Sequence, residues 1–186
     1  SHLDLFLMRI TKVTTKTGDT GETGLGNGER ISKNSFRVHA MGAVDKLNSV
    51  IGWVRIKSSK QFDKALEEIQ QDLFNLGGEL AIPDVEMNLL KDSRMNWLDS
   101  NTEKINSQLP PLSEFILPGG SEFAARIHIA RADCREAERV IVALSENEFV
   151  PDLHKKYINR LSDFLFIISR VETMERGQKE VIWEYN

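Results

Sequence analysis

Seven apolar residues, Phe123, Ile127, Ala130, Cys134, Ala137, Ile141 and Leu144, follow one another at alternating spacings of four and three. Only a long helix puts such residues on one face, because strand side chains alternate with a period of two. The middle of the stripe is small, so a neighbouring backbone or a bulky side chain can approach it closely. Met41, Val44, Leu47, Ile51 and Val54 predict a second helix over about 35–57. Leu66, Ile69, Leu73, Leu76 and Leu80 predict a third, ended by Pro83. Trp97, Leu98 and Ile105 mark a weaker one before Pro110 and Pro111, and Ile158, Leu161, Leu165 and Ile168 mark a last one over about 152–175. The tail "KEVIWEY" alternates like one short strand. Long amphipathic helices with short connections predict an all-α, up-and-down bundle of five helices in one domain.

Bulk properties exclude some classes. The net charge of −4 is no match for nucleic acid or an anionic membrane, so an anionic ligand needs a local basic cluster. One cysteine, Cys134, forbids an internal disulfide, which suits a reducing, cytoplasmic setting, and a small buried residue is the expected role. No run reaches the ~18 apolar residues of a spanning helix. Residues 1–8 are read as a tag or disordered N-terminus and set aside.

Five stretches carry chemistry. "TKTGDTGETGLGNGERISK", residues 15–33, holds five glycines without a helical or strand period. It is neither a phosphate-binding Walker loop nor a dinucleotide fingerprint. Its glycines, hydroxyls and lysines fit a backbone nest for an anion, while the plainer reading of the residues alone is a disordered arm. "RADCREAER" sets Arg131, Arg135, Glu138 and Arg139 on one side of the fourth helix, beside the apolar stripe. That side suits a polyanion or a solvated face laced with ion pairs. "YINRLSDFLF" puts Asn159 and Asp163 mid-helix, where they carry a propensity penalty. In "FILPGGSEFA", Phe115, Ile116 and Leu117 read as core or as a cavity wall, and Ser121 as an N-cap. In "GAVDKLNS", Asp45 borders the apolar seam and needs a partner, for which the arginine row is the candidate in the same or another subunit. No histidine has a glutamate three residues before it, so a di-iron bundle is disfavoured and no metal ligands are assigned.

These segments, with "LPPLSEFILPGG", occur in the order that resembles the PduO-type ATP:cob(I)alamin adenosyltransferases, over about residues 15–170. The resemblance implies a ferritin-like, cobalamin-adenosyltransferase-like five-helix bundle, assembled as a homotrimer with sites between subunits. Residues 9–34 would be an ATP-binding lid and residues 35–176 the bundle, within one domain over 9–186. It implies that Thr15, Lys16, Thr17, Gly18, Thr23, Gly24 and Lys33 wrap ATP, and that Arg135, Glu138, Arg139 and Asn159 complete that site. Arg131 would form an inter-subunit salt bridge with Asp45, and Phe115 would lie under the corrin ring. The implied reaction is attack of Co(I) on the 5′ carbon of ATP, with Mg²⁺ on the leaving triphosphate, giving adenosylcobalamin. A flavin reductase and an adenosylcobalamin-dependent mutase are the implied protein partners. A non-catalytic carrier delivering adenosylcobalamin is the alternative. Many members carry a basic residue where this chain has Glu136.

Overall fold

A computed structural model describes residues 12–185. Among them five helices carry the fold: α1 (Phe36–Arg55), α2 (Lys60–Ala81), α3 (Asp92–Asn106), α4 (Glu122–Ser145) and α5 (Asp152–Glu175). Residues 1–8, read as a tag or disordered start, lie outside the described residues. Two of the helix starts are fixed by serine caps. Ser35 accepts from the Val38 amide and Ser121 from the Ala124 amide, each satisfying a donor that the first helical turn leaves open.

All seven residues of the α4 stripe are fully buried, as are Ile158, Leu161, Leu165 and Ile168 of α5. The small centre of the stripe serves α5: the Cys134 thiol donates to the Ile158 carbonyl at 3.1 Å, and Tyr157 is buried beside it. Packing runs α2–α1–α4–α5–α3, and one continuous apolar core joins the five. A polar clasp ties α2 to α3 and α5: Asp72 accepts from Arg94 Nε at 2.9 Å and from the Tyr157 hydroxyl at 2.6 Å. The weak periodicity of α3 has a physical counterpart, since Leu98 is its single buried residue while Trp97 and Ile105 only lean on the core.

The leader contains structure that its sequence hides. β1 (Glu22–Gly24) and β2 (Arg30–Ser32) pair antiparallel, with Glu22 opposite Ser32 and Gly24 opposite Arg30. Strands of three residues are too short to display a period. The loop between them docks on the end of α2, where Leu25 is buried and the Gly26 amide donates to the Ala81 carbonyl at 2.8 Å. The C-terminal tail forms an isolated bridge rather than a full strand. Ile182 faces Ile116, the Leu117 amide donates to Val181 O, and the Trp183 amide donates to Phe115 O.

Candidate nucleotide and corrinoid site

The hairpin shapes a cavity of about 440 Å³ lined by Thr15, Lys16, Thr17, Gly18, Thr23, Gly24 and Lys33, together with Asp19 and Arg30. Three cations face one carboxylate there, a local reversal of the chain's negative balance. The backbone is held in a tight course. Lys16 has a φ of 62°, Gly21 a φ of 90°, and the Lys33 amide closes on Gly21 O at 2.8 Å. Lys33 reaches back across the loop, so that a methyl group at Gly18 would lie 2.9 Å from its Nζ. A side chain at 18 would have to push the flexible tip of Lys33 aside. Arg30 donates to Thr17 O at 2.7 Å. The sequence reading missed it, because its partner is a backbone carbonyl.

The cavity includes no residue of α4 or α5. Arg135 and Arg139 stand exposed on α4, Glu138 is half-buried, and Asn159 is exposed on α5. The structure thus gathers the seven leader residues and leaves the other four nucleotide candidates outside their cavity. Arg131 has a different environment. Its Nε is buried without a hydrogen-bond partner among the described residues, and burial, then the charge of Arg135, depress its pKa. His128, one turn earlier, is buried with its Nδ1 unpartnered and its ring edge-on to Phe166. Burial and then Arg131 lower its pKa, favouring the neutral ring.

Asp45 is exposed on α1, with no ion-pair partner among the described residues. It borders a groove of about 380 Å³ between α1 and α2, with Met41, Asn48, Phe74 and Gly77. The Oδ1 of Asn48 is buried there without a donor. Among the described residues, α1 thus presents an exposed carboxylate beside one buried acceptor without a donor, and α4 a buried guanidinium Nε without an acceptor. Glu136 sits on the flank facing α1, where Lys46 lies 3.9 Å from it and 3.3 Å from Asp133. Its charge is engaged there with Lys46.

Phe115 is 76% exposed, an unusual position for a phenylalanine. Trp183 lies against it with ring centroids 6.2 Å apart, and Tyr185 continues the patch at 4.8 Å from Trp183. The Tyr185 hydroxyl donates to Glu114 at 3.0 Å. No signal in the sequence could pair this tail with residues 114–117, because the pairing is non-local. Cys134 is no nucleophile: burial pushes its thiol pKa far up. Among the described residues no three histidine, cysteine or acidic side chains cluster as metal ligands. Asp19 is the single acid in the leader cavity, so a divalent cation there fits as a companion of bound phosphates rather than as a protein-held ion.

The chain is a five-helix bundle that carries a cationic, glycine-bearing loop, an exposed arginine pair on α4 and an exposed aromatic patch. Residues 13–172 match the family model described as cobalamin adenosyltransferase. A cobalamin adenosyltransferase of Cupriavidus metallidurans is 47% identical, over 95% of this chain and 96% of its own length. A corrinoid adenosyltransferase of Bacillus subtilis is 40% identical, over 93% and 92%. Among solved structures, a variant PduO-type ATP:corrinoid adenosyltransferase from Lactobacillus reuteri, complexed with cobalamin and ATP, superposes with a TM-score of 0.89 at 33% identity, covering 94% of this chain and all of that one. The chain belongs to the cobalamin adenosyltransferase family.

Proposed function

We infer that the protein is an ATP:corrinoid adenosyltransferase that moves the 5′-deoxyadenosyl group of ATP to Co(I) of cobalamin and works as a homotrimer. The observation carrying the detailed reading is the division of the site within one chain. The leader cavity holds three cations but lacks α4, while Arg131 on α4 and Asp45 on α1 have no ion-pair partner among the described residues. A neighbouring copy supplies what each face lacks. Asp45 of one subunit meets Arg131 of the next, and the leader of one closes over Arg135, Arg139 and Asn159 of the other. A head-to-tail contact of this kind closes into a ring. In this scheme residues 9–34 are the ATP lid and residues 35–176 the bundle.

The chemistry follows from the charges. The Co(I) electron pair forms the bond to C5′, the C5′–O bond breaks, and the pair leaves on triphosphate. No proton is removed, so no general base is required. The protein's task is alignment and charge stabilisation. Holding cobalt and C5′ in line removes up to ~7–11 kcal/mol of barrier in favourable cases. Arg135, Arg139, Lys33, the leader amides and Mg²⁺ stabilise the departing polyphosphate. Phe115 forms an apolar floor that keeps water or nitrogen off the lower axial position of cobalt, which eases reduction to Co(I). A flavin reductase is the proposed electron source and an adenosylcobalamin-dependent mutase the proposed recipient, in the cytoplasm. Among the described residues, no helix is long and apolar enough to cross a membrane.

The decisive experiment mixes the protein with MgATP and reduced cobalamin and follows the alkylcobalamin spectrum. Formation of adenosylcobalamin with stoichiometric triphosphate is expected; a protein that only binds and releases preformed adenosylcobalamin would be a carrier. For the assembly, sedimentation of the wild type should give a trimer, and Asp45→Asn should weaken it or lower activity. A wild type that sediments as a monomer would overturn the shared site.

A further inference from the structure

We propose that Arg30 is the positioning residue of the polyphosphate grip, acting through the Thr17 carbonyl to hold the loop of residues 15–18 in its anion-binding shape. This rests on the nucleotide reading above and adds a role that the leader's glycines and lysines do not cover. Arg30 stands in β2 opposite Gly24. Its Nη2 donates to Thr17 O at 2.7 Å and lies 3.4 Å from Glu22 O. A Cβ at Gly24 would lie 3.5 Å from Nη1, an ordinary contact distance, so the guanidinium lies alongside that stretch of backbone. One planar group thus joins the strand to the loop that precedes it.

The loop needs that hold. Lys16 adopts a φ of 62°, a conformation that costs free energy for any residue with a Cβ and persists only where neighbours fix it. The Thr17 carbonyl belongs to the peptide just beyond that turn, and Arg30 is the side chain that grips it. A left-handed residue beside a right-handed or extended one turns successive N–H groups to the same side, which is the geometry of an anion nest. Without the guanidinium, Lys16 relaxes and the nest opens. Both hydrogen bonds of Arg30 leave one nitrogen, Nη2, and end on protein carbonyls, so this end of the guanidinium acts on loop shape. A lysine keeps the charge but not the flat guanidinium that sets Nη2 on Thr17 O while Nη1 lies against Gly24.

Arg30→Lys tests this, with Arg30→Met as a second variant and thermal melting as the check that both are folded. Three quantities are measured: affinity for inorganic triphosphate, the KM values for MgATP and cobalamin, and amide exchange of residues 14–19 without nucleotide. Triphosphate affinity should fall, and the KM for MgATP should rise, by about tenfold. The cobalamin KM and kcat should stay within about twofold. Exchange in the free protein should quicken. Triphosphate affinity unchanged from the wild type would overturn the role. So would weakened affinity with unchanged exchange, since Arg30 would then be touching the anion itself. A wild type that binds neither triphosphate nor MgATP would sink the nucleotide reading instead, a result separable from the other two.

Discussion

The Tyr157 hydroxyl donates to Asp72 Oδ2 at 2.6 Å, deep between α5 and α2, and the same carboxylate accepts Arg94 Nε from α3. Three helices thus meet on one carboxylate that is 5% exposed. Burial, then Asp72, raises the Tyr157 pKa well above its ordinary value, so the phenol remains a donor at any working pH. Arg94 also lies 4.2 Å from the Trp97 ring, which keeps its guanidinium over α3.

Tyr157→Phe keeps the ring and removes only the donor. It leaves a buried carboxylate short of one hydrogen bond, at a cost of about 1–3 kcal/mol. Denaturant unfolding should show that loss without a change in slope. An unchanged midpoint would mean that Asp72 draws no stability from the hydroxyl.

The two glycines of the leader that are crowded should separate folding from binding. A methyl at Gly18 meets the tip of Lys33, a flexible group that can move aside, although Glu22 O is also close at 3.3 Å. Gly18→Ala should therefore leave the melting temperature nearly unchanged while raising the KM for ATP, because Lys33 is displaced. A methyl at Gly26 meets Ile82 Cγ1 at 2.6 Å and Ala81 O at 3.2 Å. Gly26→Ala should undock the hairpin from α2, and limited proteolysis should cut the leader sooner. Equal digestion of variant and wild type would show that this docking does not restrain the leader.

What the chain reveals on reading divides along a physical line. The α4 stripe was legible because its seven members are fixed by one local period, and the Ser121 cap because capping is local too. The hairpin was not, since three-residue strands carry no period and their stability comes from Leu25 and Gly26 docking on α2. The alternation of the tail was legible, but not the contacts of Trp183 and Tyr185, because only tertiary pairing brings them to Phe115 and Glu114. Arg30 escaped notice because its partner is a main-chain carbonyl. The roles of Arg135 and Asn159 came from resemblance to a family, and within one chain they do not reach the leader cavity.

Acid should loosen the end of the bundle beside the leader. Glu79 is nearly buried, which alone would raise its pKa. Hydrogen bonds from His154 at 2.7 Å and from the Leu90 amide at 2.8 Å outweigh that and hold it below the ordinary range. A carboxyl lowered in the folded state stabilises above its unfolded pKa of about 4.3 and loses that contribution as pH falls through the folded value. Glu79→Gln should therefore melt below the wild type at pH 7, and the gap should narrow toward pH 3. A gap that stays constant over that range would rule out the ionised carboxylate as its source.

Phe115 offers the sharpest separation between binding and chemistry. The ring is three-quarters exposed and touches Trp183 at its edge, so truncation removes little buried surface. Surface changes of this kind move stability by no more than about 0.5 kcal/mol. ATP affinity should also hold, because Phe115 lies outside the leader cavity. Under the proposed function, Phe115→Ala takes away the apolar floor that would exclude an axial ligand from cobalt. Turnover starting from cob(II)alamin and a reductant should fall by at least about tenfold, equivalent to ~1.4 kcal/mol of barrier. Chemically prepared cob(I)alamin should be less affected, since its reduction is already complete. If the variant matches the wild type on cob(II)alamin, the ring has no part in baring the metal, and the aromatic patch it forms with Trp183 and Tyr185 serves something else.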